Sequence, residues 1–375
     1  MLNNDLPISG ATRTQAGGQP ATATSPGSSA AAPPIRRRTE TRGDGPPNRS
    51  SGAGPTVAVC VLVFCCVLWG WSFPTMQYAS RAFDAHAIGR ATASVLESVS
   101  SRALLNGLRF LTAGVLYALL TFSSQRKFSR TEIAGGMIIG VLFGAGMLLQ
   151  VLGLAWARPS VSGFLTSMAV VFAPMAQAWI LRRPVGGPIW GAVALAVAGV
   201  ALLTWPDPTA GHGGLTAKPP LPLLGETLTL LAAVVFTVQI LAVDHYGQAA
   251  DPKRLTSVML LTCAILSLAV AAGLSGGRVL LPGVITGLAT DRVVWWSLGS
   301  LVLFSSLLAI PLMNTYQPRL SPATASVVYC SEPLFALLFS VLLATEQLTM
   351  LTVSGGAGVV GAVLVVAAQS RKGRT

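Results

Sequence analysis

Ten apolar stretches recur along the chain, each about long enough to cross a bilayer as a helix and each bounded by charged or Pro/Gly-rich residues. They fall at about residues 56–78, 103–122, 133–157, 161–181 and 188–205, then at about 223–243, 255–274, 293–313, 323–343 and 350–368. A polar connection follows the first stretch as far as Arg102. A basic loop over 125–130 follows the second, and Arg158-Pro159-Ser160 turns the chain between the third and fourth. Residues 206–222 are rich in Pro and Gly and break the pattern near the middle. The spacing therefore predicts five helices over 56–205, a linker over 206–222, and five helices over 223–369. Residues 1–55 hold almost no large apolar side chain, cannot bury a core, and are expected to form a disordered basic tail; 370–375 are a second, short basic tail.

Composition agrees with that pattern. The 375 residues are 52% hydrophobic and 10% charged, with mean hydropathy +0.64, whereas a soluble domain carries about 25% charged residues. The formal charge of +12 would suggest nucleic acid in a soluble chain. Here the basic residues flank spans and set orientation, so no nucleic-acid partner is expected; the bilayer is the partner. With ten spans both tails share a side. That side carries eleven Lys and Arg apart from the six arginines of the first tail, against seven opposite, so both termini are expected in the cytoplasm. Cys60, Cys65, Cys66, Cys263 and Cys330 all lie inside apolar stretches and read as small buried side chains, neither a disulfide framework nor a zinc motif.

The ninth stretch holds the sharpest chemical anomaly. Glu332 lies about halfway along it, roughly 15 Å of helical rise from either end, and Pro333 follows directly. A carboxylate at that depth is expected only where it faces a cavity or a partner. Pro333 lacks an N–H and should free the carbonyl of Tyr329 one turn back. The fourth stretch repeats part of this design. Residues 162–181 resemble 325–343, both follow a short Pro/Ser turn, and both carry a mid-span proline, Pro174 or Pro333; Ala173 stands where Glu332 does. Five spans per half put the halves in opposite orientation. The expected fold is thus an all-α integral membrane protein of ten transmembrane helices as two inverted five-helix repeats, with a site near the midplane.

Several short pieces, in order along the spans, resemble the EamA-type members of the drug/metabolite transporter superfamily. They are Trp69-Gly70 with Ser72-Phe73-Pro74, Arg109-Phe110, Gln150 with Gly153-Leu154, Gly225-Glu226, and Ser331-Glu332-Pro333 with Glu346. The resemblance covers about residues 57–369. It implies a carrier of small metabolites, often amino acids or related compounds, frequently an exporter of the bacterial inner membrane. Arg182-Arg183-Pro184 departs from the pattern of the first repeat, and the connection over 81–102 is longer than the family suggests.

The candidate residues follow from both lines. Glu332 could bind a proton, a substrate ammonium or a neighbouring helix. Tyr329, one turn back, could stack on and hydrogen-bond a ligand. Trp69, Trp71, Ser72 and Phe73 could form a cavity wall, or the tryptophans could anchor at the interface. Gln150 and Asn314 are the preferred pair among buried amides that could equally satisfy one another's helices. Pro174 and Pro333 mark helix breaks. Arg109, a few residues inside the second span, is expected to snorkel to the interface, with substrate carboxylate binding as the alternative. Gly136, Gly140 and Gly144 form a packing stripe, and His86, His212 and His245 lie scattered in loops or linker without a metal site.

The favoured reading is a secondary transporter of a small-molecule substrate, proton-coupled in one version, with no cofactor and with a homodimer allowed. A nucleotide-binding Gly-x-x-x-x-Gly-Lys loop is absent. The alternative, an integral-membrane enzyme acting on a lipid-linked substrate, wants clustered acids or histidines at one membrane face, and Asp84, Glu97, Asp207, Asp291 and Glu346 are scattered.

Overall fold

The computed structural model describes residues 54–88, 95–124, 127–154, 159–205, 222–343 and 348–372, and all regular structure among them is helical. The expected tail up to residue 53 and the linker up to residue 221 lie outside the described residues. The first half contributes α1 (Pro55–Ile88), α2 (Val95–Leu120), α3 (Arg130–Leu154), α4 (Pro159–Ser167), α5 (Ala169–Trp179) and α6 (Gly187–Leu203). The second contributes α7 (Pro222–Ala249), α8 (Pro252–Ser275), the short α9 (Pro282–Thr290), and α10 (Arg292–Ser300). A π-helical segment Leu301–Leu308 then leads into α11 (Ala309–Tyr316), α12 (Pro322–Tyr329), α13 (Glu332–Leu342) and α14 (Met350–Lys372).

Eight runs among the described residues are long and apolar enough to cross a membrane: Pro55–Ala87, Leu96–Leu120, Arg130–Gly153, Leu223–Ala249, Pro252–Ser275, Arg292–Arg319, Pro322–Leu342 and Met350–Ser370. The two remaining stretches of the expected ten behave differently. The fourth is split at Met168 into α4 and α5, and the fifth is the 17-residue α6. Pro174 and Pro333 each displace the helix near the residue four positions earlier, where the proline ring meets the backbone carbonyl. The interruption in the ninth stretch accordingly falls at Cys330–Ser331, and that in the fourth just upstream of Val170.

Helix ends differ from the sequence expectation most around the first connection and at the end of the sixth stretch, where α7 runs on to Ala249. α1 runs ten residues past Tyr78, and α2 starts at Val95, so the supposed polar connection is mostly helix; residues 89–94 lie outside the described ones. Its polar residues share the turns with Ala79, Phe83, Val99 and Ala103, all buried in one apolar cluster or beside it. His86 thus sits in the last turn of α1, and His245 within α7, not in loops.

The helix ends are tied by local chemistry. Ser129 and Glu132 form a reciprocal capping box at the start of α3: Glu132 Oε2 accepts from the Ser129 N–H at 2.6 Å, and Ser129 Oγ accepts from the Glu132 N–H at 3.2 Å. Glu132 Oε1 also accepts from the Asp251 N–H and from Arg254 Nη1, each at 3.2 Å, while Asp251 caps α8. Arg183 donates to Asp244 at 2.7 Å, tying the α5–α6 turn to α7. At the other ends of the helices His86 Nε2 meets Asp291 Oδ2 at 2.8 Å. That hydrogen bond, followed by one from the Val293 N–H, holds the Asp291 carboxyl below the usual carboxylate range.

Packing is helix on helix. α2 lies along α8, α3 between α7 and α8, and α6 along α14. The last pair meets backbone to backbone: a Cβ on Gly199 would sit 2.7 Å from the Gly355 carbonyl oxygen, and one on Gly355 would sit 2.6 Å from the Gly199 carbonyl oxygen. Small residues permit such approach where lipid supplies no hydrophobic drive. Gly136, Gly140 and Gly144 serve α3 in the same way against α8, where the Cys263 thiol donates to the Gly140 carbonyl at 3.2 Å.

Candidate functional site

The break between α12 and α13 puts Glu332 at the first turn of α13 and at the centre of the Pro322–Leu342 run. The chain folds this way because Ser331 and Pro333 cannot continue the ladder of α12. The Ser331 hydroxyl instead donates to the Val328 carbonyl at 2.8 Å, and the Phe335 N–H restarts the ladder on the Ser331 carbonyl at 3.2 Å. Glu332 is half-buried, with neither a hydrogen bond nor an ion pair to any described residue.

α1 closes one side. A Cβ on Gly70 would lie 2.5 Å from Phe335 Cβ and 2.8 Å from the Ala336 nitrogen, so only glycine admits this approach of α1 to α13. One residue earlier, Trp69 packs its ring 5.7 Å from that of Tyr329. The Tyr329 hydroxyl donates to Gln317 Oε1 at 2.7 Å, and the amide of Gln317 donates to the Ile240 carbonyl at 2.9 Å. Trp69 and Tyr329 each touch both of the larger apolar clusters and so form the seam between them.

α2 and the π-helical segment pack on one another and on α1. Arg109 does not snorkel: it is 3% exposed and lies mid-helix, because α2 begins well before the apolar stretch does. Its Nε donates to Ser306 Oγ at 2.7 Å and its Nη2 to Ser305 Oγ, while its guanidinium carbon lies 4.9 Å from the Phe110 ring centroid. Ser305 and Ser306 stand at the middle of the Arg292–Arg319 run, inside the π-helical segment. The π register widens the turn, and such turns occur often at functional sites. Trp69 Nε1 donates to the Ser305 carbonyl at 3.1 Å, and the Cys65 thiol to the Ala309 carbonyl at 3.5 Å. Arg109 and Glu332 make no ion pair with one another.

The other sequence candidates divide. Ser72 donates to the Trp69 carbonyl at 2.7 Å within α1. Gln150 donates to Thr166 Oγ1 at 3.2 Å, in the contact of α3 with α4. Asn314 is fully buried against α8, donating to Thr256 Oγ1 at 3.0 Å and to the Met259 sulfur at 3.3 Å. Gln150 and Asn314 therefore sit on different helix pairs. Pro174 lies in α5, whose Gln177 accepts from the Ala323 N–H at 3.1 Å. The two interruptions meet, since the Cys330 thiol reaches the Ser167 carbonyl at 3.9 Å. The Trp71 indole donates to Ser300 Oγ at 2.9 Å and its ring packs against Phe339 and Trp296. Sequence reasoning missed Ser305 and Ser306; the available signal is a Ser-Ser pair at the midpoint of an otherwise apolar run. Among the described residues no group of three His, Cys, Asp or Glu could hold a metal.

Residues 223–368 match the EamA-like transporter family. The chain is 26% identical over 311 residues to an uncharacterized transporter of Archaeoglobus fulgidus, covering 81% of this chain and 84% of that one. A solved crystal structure has a similar fold, with a TM-score of 0.59 at 18% identity, covering 85% of this chain and 99% of its own.

Proposed function

We propose that this chain is an EamA-type secondary transporter of the drug/metabolite transporter superfamily, working by alternating access between two inverted five-helix repeats; the family match over residues 223–368 and the transporter-named archaeal relative support the reading. Its cargo is a small metabolite such as an amino acid or related compound, its direction is export, and Glu332 couples movement to protons. It sits in a bacterial cytoplasmic membrane with both termini inside.

One observation carries the reading. Trp69, Arg109, Ser305, Ser306, Tyr329 and Glu332 come from four membrane-spanning runs, near the middle of each, and gather around a pair of interrupted helices. Interrupted helices near the midplane are where secondary transporters hold substrate and coupling ion. The helix pairings support the repeat. α3 packs on α7 as α1 packs on α10 and α11; α4 and α5 pack on α7 as α12 and α13 pack on α1; α2 pairs with α8, and α6 with α14. Exchanging the halves maps these pairs onto one another, while the contact of α1 with α2 has no counterpart between α7 and α8.

Glu332→Gln is expected to leave folding and membrane insertion intact while removing the pH dependence of flux in proteoliposomes. Flux that keeps its wild-type pH profile in this variant would remove Glu332 from coupling.

A further inference from the structure

We propose that Arg109, Ser305 and Ser306 form the binding site for an oxyanion, a carboxylate or phosphate group, on the transported molecule. This rests on the transporter reading above and deepens it by naming the chemical group the cargo must carry.

A guanidinium 3% exposed and in the middle of a transmembrane helix is expensive unless a carboxylate or another acceptor compensates it. Among the described residues no carboxylate lies within ion-pair distance of Arg109; the ion pairs are His86–Asp291, Arg183–Asp244 and Arg254–Glu132, all toward helix ends. Its acceptors are two neutral hydroxyls, which satisfy hydrogen bonds but leave the charge. Glu332, the carboxylate in the middle of the Pro322–Leu342 run, makes no ion pair with any described residue either. Among the described residues the guanidinium is hydrogen-bonded by the π-helical segment alone.

The serines add a second, independent observation. Ser297, Ser257, Ser275 and Ser326 in the second half return their hydroxyl hydrogens to a carbonyl three or four residues back. Ser305 and Ser306 accept from Arg109 and donate to no described residue. Their two O–H groups and the remaining guanidinium N–H groups make a cluster of donors around a fixed positive charge. That set matches an oxyanion, which the planar guanidinium fork can hold through two parallel bonds where an ammonium offers only a point charge. The Trp69–Tyr329 pair beside it offers an aromatic wall.

The test uses the full-length purified protein and follows tryptophan fluorescence, to which Trp69 contributes. Four probes share one aromatic skeleton or its near equivalent: 3-phenylpropionate, phenyl phosphate, 3-phenylpropanamide and 3-phenylpropylamine. At least one of the two anions is expected to bind, and the amide and the amine are not; the better anion tells carboxylate from phosphate. Arg109→Lys, which keeps the charge and loses the fork, and Ser305→Ala/Ser306→Ala, which keeps Arg109, should each weaken the anion about tenfold or more. Binding of the amide or amine as tightly as the anions, binding by neither anion, or undiminished anion binding in both folded variants overturns the proposal. Counterflow in proteoliposomes separates the two claims: carried compounds without an oxyanion would sink this site and leave the transporter standing, whereas Arg109-dependent binding without any flux would do the reverse.

Discussion

Gly70 and Gly191 should answer the same substitution with opposite signs. Alanine at Gly70 would drive a methyl group into the backbone of α13, and overpacking of this kind costs about 1–3 kcal/mol. Gly191 lies in α6 with open space where its Cβ would be, so alanine there should stabilise the helix by up to about 1 kcal/mol. Thermal unfolding of the two variants in detergent checks both directions at once; a stable Gly70→Ala protein would mean that α1 and α13 do not meet this closely. The residue scale also explains what the sequence shows and conceals. Glu332, Pro333, Tyr329 and Trp69 are legible because a carboxylate, a proline and large rings stand out in an apolar run. Arg109 is misread because Glu97, Ser98, Ser100, Ser101 and Arg102 depress the hydropathy of the first turns of α2. The helix then seems to start at residue 103, and Arg109 seems shallow. Ser305 and Ser306 are concealed because a π register leaves no trace in a periodicity of 3.6.

At the scale of elements, two kinds of fastening separate the ends of the bundle's helices. On one side Arg254–Glu132 and Arg183–Asp244 join α8 to α3 and the α5–α6 turn to α7. On the other, His86–Asp291 joins the end of α1 to the start of α10. Asp291 titrates below its ordinary value when folded, so its contribution to stability is complete above the unfolded value of about 3.9 and is lost as pH falls through the lower folded value. Melting of the wild type should therefore fall in that acid window by more than melting of Asp291→Asn does, and parallel curves would show that the contact is not made. The sequence marks the interrupted elements by their prolines, and in the ninth stretch places the disturbance at Tyr329, beside the observed break. A proline disturbs the turn before it, so the fourth stretch parts at Met168 and the ninth at Cys330.

At the scale of the whole molecule, the Lys/Arg asymmetry gives a topology that fusions can read. A cytoplasm-dependent fluorescent reporter after residue 372 should be active, and a phosphatase that works only outside the cytoplasm should be active when inserted at Gly276–Gly277, between α8 and α9. The opposite pair of results would invert the protein in the membrane. Eight qualifying runs in place of the expected ten mark a difference between counting apolar residues and forming rods: α4 with α5 has the apolar content but not the continuity, and α6 lacks only length.

The contact of Gly199 with Gly355 brings two main chains together with no side chain between them. Interdigitated side chains can ratchet past one another by changing rotamer, but two bare backbones have no such freedom. If transport proceeds by alternating access, as proposed above, the α6–α14 crossing is the place expected to stay fixed while other helices move. A genetic screen for inactive protein should then recover lesions at Gly199 and Gly355 as readily as at Arg109, with binding of the cargo intact and only its passage stopped.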